Sequence, residues 1–184
     1  MLYIIKKEIL IKRCIKMMGD LEVSTAQFYA IGAHGDQKRK YTGEAYWHHL
    51  ESVVSILKAH TYTTTDMLKA AWLHDVVEDT AATVFDVQSL FGEVVARYVS
   101  DLTEPPKEFG NRAIRKDYYN LILSKAPPDV QTIKLADLID NTSSIEKHDP
   151  VFAKVYFEEK RQLLKIMRNG CPILYNQACK QVGL

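Results

Sequence analysis

The chain has 184 residues, 47% apolar and 26% charged, with 24 basic against 23 acidic side chains and a net charge of +1. That length fits one domain that buries roughly 70% of its unfolded surface, so no disulfide framework or structural metal is required to hold a core. The near-neutral balance gives no global argument for nucleic-acid or membrane binding, and no apolar run reaches the roughly 18 uncharged residues of a membrane span.

Lys6, Lys7, Glu8, Lys12, Arg13 and Lys16 interrupt the apolar residues at the start, which excludes the continuous core of a signal peptide. Apolar positions 2, 5, 9 and 10 share one helical face. Residues 1–19 therefore read as a basic accessory helix, or as an extension ahead of an alternative start at Met17 or Met18. A peripheral membrane helix is the other reading. The domain proper then covers 20–184. A helix runs from Asp20 to His34 with its cap near Asp20 or Ser24, and the basic, glycine-containing stretch 34–44 is a loop. Apolar residues at 46, 47, 50, 53, 54 and 57 predict a helix from Tyr46 to His60. TYTTTD (61–66) suits an N-cap better than a strand, and a strongly apolar helix follows over 66–79. Short helices around 84–90 and 94–102 flank Gly92, and TEPPKEFGN (103–111) breaks the chain.

Asn111 to Lys125 is helical again, with Arg112, Arg115 and Lys116 at its start as a solvated basic face or a contact for distal phosphates. PPD (127–129) opens a helix carrying IKLADLIDN, Asp149-Pro150 opens another that runs to about Arg168, and a last short helix follows Pro172. No strand alternation, repeat or low-complexity tract is present. The expectation is an all-α bundle of roughly ten helices. Cys14, Cys171 and Cys179 follow no ligand spacing and fit thiols in a reducing cytoplasm.

The chemistry concentrates at His74-Asp75-Val76-Val77-Glu78-Asp79, where polar residues end an apolar helix. On a continuous helix His74 stands above Glu78 and Asp75 above Asp79. Imidazole and carboxylate together suit a divalent cation, and buried unpaired carboxylates would be costly without one. Tyr46-Trp47-His48-His49 opens another helix, and KLADLIDN (134–141) places Asp137 and Asn141 four apart, with Asp140 expected on another face. Three helices could thus bring together His49, His74, Asp75 and Asp137, a set that leaves positions open for water or phosphate oxygens. His48 points away from such a site. His34 is a helix-end residue behind it, His60 and His148 are surface residues, and Trp47, Trp72 and Tyr118-Tyr119 belong to the core.

The set H…HD…D resembles the HD-domain metal-dependent phosphohydrolases. HDxxED (74–79), AHGDQKRKYTGEAYWHH (33–49) and KLADLIDN are together similar to the hydrolase domain of RelA/SpoT-type enzymes and their small stand-alone relatives. The resemblance spans about 24–160. It implies an all-α HD domain that removes the 3′-pyrophosphate of guanosine tetra- and pentaphosphate with Mn²⁺, giving GDP or GTP and pyrophosphate. It implies His49, His74, Asp75 and Asp137 as the metal shell, and Glu78 and Asp79 as the pair acting on the water nucleophile. Arg39, Lys40, Asn141, Ser144 and Tyr156 are implied as substrate contacts. No synthetase-like segment follows in these residues, so a small stand-alone hydrolase is expected, with a nucleotide as partner and neither nucleic acid nor membrane.

Ala45 and Leu50 replace two prolines of the pattern, and Asp140 and Thr142-Ser143 replace residues that are often aromatic or basic. These departures leave the base open. The rival substrates are an adenosine alarmone, NADPH or a deoxynucleoside monophosphate. The rival classes are a non-catalytic nucleotide-binding module and an interaction protein anchored by its N-terminal helix.

Overall fold

The computed structural model describes residues 2–59 and 62–184, with side chains at Glu8 and from residue 11 onward within those ranges. Among them ten α-helices follow in order. They are α1 (Leu2–His34), α2 (Trp47–Lys58), α3 (Thr65–Leu73), α4 (Val76–Asp79), α5 (Val84–Phe91), α6 (Glu93–Leu102), α7 (Arg112–Lys125), α8 (Pro128–His148), α9 (Pro150–Ile166) and α10 (Pro172–Val182). A 3-10 turn (Lys107–Phe109) precedes α7, and the strand-like pairing among the described residues is one bridge between Lys38 and Ala45. The fold is all-α, as expected. No described helix is long and apolar enough to cross a membrane.

Local chemistry explains most helix starts. The Thr64 hydroxyl accepts the Met67 N–H, Thr83 and Asp86 form a reciprocal capping box, and Asn111 and Asp149 cap α7 and α9. Proline opens α8, α9 and α10, where a missing N–H costs nothing.

Two boundaries differ from expectation. α1 runs unbroken across residues 19–20. Ser24 does not cap it: its hydroxyl donates to the Asp20 carbonyl at 2.9 Å, the back-bond of a serine inside a helix. Gly19 lies against the start of α3, where a Cβ would come 3.1 Å from Thr65 Oγ1. The shared apolar face of positions 2, 5, 9 and 10, and the surface position of His60, fall outside the described residues and side chains. The second difference is functional. The helix expected over 66–79 is divided into α3 and α4, with His74 and Asp75 at the junction. His74 Nδ1 bonds the Ala71 carbonyl at 2.8 Å, the acceptor that a continuous helix reserves for the Asp75 N–H. Asp75 sits at φ −102°, ψ −3°, off the helical basin.

α8 forms the axis of the bundle. Every residue from Val130 to Ile139 is buried, so its polar groups must find partners inside. Gln131 Nε2 donates to the Leu123 carbonyl and its Oε1 accepts the Asn169 N–H, each at 2.9 Å. Thr132 Oγ1 accepts the Cys171 N–H at 2.9 Å. Gly170 lets the chain close on α8, since a Cβ there would meet Leu135 Cδ1 at 2.8 Å. Around this axis pack Leu50, Val53 and Leu57 of α2, Ala70 and Leu73 of α3, Val95 and Val99 of α6, and Leu163 and Leu164 of α9. Trp72 and Tyr119 join the core as expected, whereas Trp47 is half-buried against the His48 ring.

Candidate metal centre

The first turn of α2, the α3–α4 junction and the middle of α8 meet at one point. Burial of Leu50, Val53 and Leu57 turns the α2 face that carries His49 inward. His49, His74 and Asp137 are all buried, and Asp75 is half-buried. His49 Nε2 lies 3.3 Å from Asp137 Oδ1 and 3.6 Å from Asp75 Oδ2. His74 Nε2 lies 2.9 Å from Asp75 Oδ2 and 3.8 Å from Asp137 Oδ1. The donor atoms of His49, His74 and Asp75 fall within 4.8 Å of one another.

The hydrogen bonds decide which ring atoms are available. His49 Nδ1 donates to Asp140 Oδ2 at 2.7 Å and His74 Nδ1 to the Ala71 carbonyl at 2.8 Å. With each Nδ1 so engaged, Nε2 is the atom each ring turns toward the carboxylates, and the ring once neutral offers its lone pair there. Neither buried Nε2 has a partner in hydrogen-bonding geometry. Two lone pairs facing two carboxylates cannot satisfy one another, but a divalent cation among them satisfies all four.

Charge balance points the same way. Burial lowers the pKa of His49, and the Asp137 and Asp140 carboxylates raise it above its ordinary value. For His74 burial is outweighed by Asp75 and Asp137, and its pKa stands well above the usual range. Burial raises Asp75, yet His74 and His49 hold it below the carboxylate range. Burial also raises Asp137, while Lys134, His49 and His74 hold it well below. Both carboxylates are ionised at neutral pH, and the cluster attracts positive charge.

Glu78 and Asp79 flank this centre on α4. Glu78 Oε2 accepts the Glu104 N–H at 3.0 Å, and Asp79 Oδ2 accepts from Gln37 Nε2 at 3.0 Å. Burial of its carboxyl and the nearby Asp75 push Glu78 up to about 7, against the Glu104 N–H, although part of the side chain stays open to solvent. Gln37 in turn accepts from His34 Nδ1 at 2.7 Å, and the His34 ring stacks on Tyr46 at 4.7 Å. His34 thus lies behind the site, as expected. His48 and His148 are exposed, also as expected.

A cavity of about 150 Å³ opens beside His49, lined by Arg39, Lys40, Asn141 and Ser144 together with Tyr41, Tyr46 and Ile145. Four of the five expected contacts therefore share one wall. Tyr156 does not line it, being packed beneath in a small cluster with Ile145 and Ala153. Arg39 does not present a free plane. Its Nη1 donates to Asp140 Oδ2 at 2.6 Å and its Nη2 to Asn141 Oδ1 at 3.3 Å. Lys40 is exposed, 4.7 Å above the Tyr41 ring. At the basic start of α7 the exposed Arg112 pairs with Glu159 at 2.7 Å and Lys116 pairs with Glu104.

Three residues of the centre escaped the sequence reading. Asp140 does not point away, because residues three apart on a helix are neighbours, and it orients His49. Lys134 is buried with its Nζ 2.7 Å from Asp137 Oδ2, a one-turn spacing visible in KLAD. Tyr46 donates to Asp75 Oδ2 at 2.7 Å, a contact between remote segments that no local spacing reveals. Replacing Asp140 by Ala frees the His49 ring to change tautomer. The expected result is a fall in divalent-metal affinity of about 10–100-fold, measured by competition with a chelator.

The family described as HD domain matches residues 26–163. A guanosine-3′,5′-bis(diphosphate) 3′-pyrophosphohydrolase of Aquifex aeolicus is 36% identical over 142 residues, 77% of this chain and 19% of that one. The Drosophila melanogaster protein of the same description, MESH1, is 36% identical over 124 residues, 66% of this chain and 68% of that one. The chain thus spans about a fifth of the Aquifex protein and about two thirds of the Drosophila protein. A solved structure described as a metazoan ortholog of SpoT that hydrolyses ppGpp superposes with a TM-score of 0.79 at 28% identity, covering 87% of this chain and 93% of that one. The matched stretch takes in most of the chain and every residue of the centre, and so the chain belongs to the HD-domain family.

Proposed function

We propose that the chain hydrolyses the 3′-pyrophosphate of guanosine tetra- and pentaphosphate, with Mn²⁺ held by His49, His74, Asp75 and Asp137. The observation that carries the metal reading is the pair of buried Nε2 atoms without hydrogen-bond partners, facing two ionised carboxylates. The substrate reading is supported by the relatives of similar sequence and fold, each described as acting on ppGpp or its 3′-pyrophosphate. A mixed nitrogen and oxygen donor set suits Mn²⁺ among the divalent transition metals.

A divalent cation held there supplies a water of lowered pKa and positive charge for the phosphoryl oxygens. The chain's own residues do the rest. Glu78, as the carboxylate, takes the proton of the attacking water, and Asp79, fixed by Gln37, helps hold that water in place. Water adds at phosphorus, the bond to the ribose 3′ oxygen breaks, that oxygen takes a proton from solvent to become the 3′-hydroxyl while Glu78 returns its proton to solvent, and GDP or GTP leaves with pyrophosphate as the second product. Arg39, Lys40, Asn141 and Ser144 form the wall for the nucleoside end, and Tyr156 supports that wall from below. No covalent nucleophile is needed, since positioning and charge stabilisation lower the barrier.

The test is direct. Metal-stripped protein, with and without Mn²⁺, is incubated with guanosine tetraphosphate, its adenosine analogue and NADPH, and products are resolved by ion exchange. GDP plus pyrophosphate only in the Mn²⁺ samples is the expected result. Turnover of another substrate alone would reassign the base, and metal binding without any turnover would favour a binding module.

A further inference from the structure

His34 belongs neither to the donor cluster nor to the wall of the cavity beside His49, yet it is only 6% exposed. It is the last residue of α1. Gly35, at φ +50°, turns the chain there, and the Gln37 N–H bonds the His34 carbonyl at 3.0 Å. The loop returns through the bridge between Lys38 and Ala45, and the Tyr46 N–H bonds the Gln37 carbonyl at 2.9 Å. Gln37 and Tyr46 are thereby both brought against the His34 ring.

The ring makes one contact with each. Its Nδ1 meets Gln37 Oε1 at 2.7 Å, and its plane stacks on the Tyr46 ring at 4.7 Å, 26° from parallel. Each partner then reaches an acidic residue of the centre. Gln37 Nε2 donates to Asp79 Oδ2 at 3.0 Å, and the Tyr46 hydroxyl donates to Asp75 Oδ2 at 2.7 Å. A carboxylate only accepts, so the Gln37 amide must turn its NH₂ toward Asp79 and its oxygen toward His34, with Nδ1 as the donor. A reversed amide would set oxygen against oxygen. The imidazole N–H therefore fixes which way the amide points. Packing alone does not explain a histidine here. Its Nε2 is buried without a hydrogen-bond partner among the described residues, a cost that phenylalanine would avoid while keeping the stack.

We infer that His34 is a positioning residue with two arms: through Gln37 it aims Asp79 at the attacking water, and through Tyr46 it holds Asp75 in place for the metal. The tasks given to Asp79 and Asp75 rest on the hydrolase reading, whereas the two arms do not.

Two variants of the full chain separate the arms. His34→Phe keeps a ring for the stack and loses the donor. His34→Asn keeps an amide donor close to the place of Nδ1 and loses the ring. Mn²⁺ affinity is measured by competition with a chelator, and kcat for guanosine tetraphosphate at saturating Mn²⁺. His34→Phe is expected to lower kcat about tenfold or more while changing metal affinity no more than about twofold. His34→Asn is expected to weaken metal binding about tenfold and to recover kcat relative to His34→Phe. Gln37→Leu should reproduce the first pattern and Tyr46→Phe the second. Equal losses of kcat and metal affinity in both His34 variants would mark a merely structural role, and unchanged values in both would leave no role; either result overturns the inference. A wild type that holds Mn²⁺ without turnover removes the enzyme reading, and metal affinity still tests the Tyr46 arm. A wild type that holds no Mn²⁺ removes the metal reading, and urea unfolding in EDTA then tests the Gln37 arm. There the losses of His34→Phe and Gln37→Leu should combine to less than their sum, because both break one bond, and additive losses overturn the inference.

Discussion

Replacement of Asp75 by Ala is expected to lower kcat/KM by about a thousandfold or more, ~4 kcal/mol of transition-state stabilisation, and to abolish metal retention. Asp75 is where the contacts of the centre converge. One carboxylate oxygen lies 2.9 Å from His74 Nε2 and 3.6 Å from His49 Nε2, and accepts the Tyr46 hydroxyl at 2.7 Å. Its loss leaves two imidazoles facing one carboxylate and strands a partly buried hydroxyl. Metal content by mass spectrometry and product by ion exchange read the result, with Asp75→Asn as the variant that keeps the shape. An active, metal-replete Asp75→Ala protein would defeat the ligand assignment.

Glu78→Gln is expected to reduce kcat by about 10²–10³-fold while the metal stays bound. The pH profile carries the sharper prediction. The base form of Glu78 is the carboxylate, so activity rises as pH climbs through its pKa. Burial of the carboxyl pushes that value up to about 7. Solvent access and a bound cation both favour the charged form, so the rising limb should lie between the ordinary glutamate value and pH 7. The Gln variant should lose that limb. An unchanged limb, measured as kcat from about pH 5 to 9 at saturating Mn²⁺, would assign it to another group.

The residues that meet at the centre were legible because most of them lie in short local segments. HDxxED and KLAD are short segments whose residue types state a need for positive charge, whatever surrounds them. The helices were legible for a similar reason. Thr64, Thr83, Asn111 and Asp149 are local caps, and the prolines of α8, α9 and α10 mark their own first turns. What went astray was local structure overruled by contact. The 66–79 segment reads as one helix, yet the His74 side chain takes the Ala71 carbonyl and turns Asp75 toward α2 and α8. Asp20 and Ser24 read as a helix start, yet α1 continues through them.

By itself, then, the sequence determined an all-α chain with a divalent-metal donor set and the acidic pair beside it. Those properties follow from periodicity, capping and charge, which act within a few residues. Only the tertiary structure decided that Asp140 orients His49 and holds Arg39, and that Tyr46 reaches Asp75. Each joins segments far apart in the chain. Such contacts arise when helices pack, because burial strips polar groups of water and leaves only the partners that the fold happens to bring.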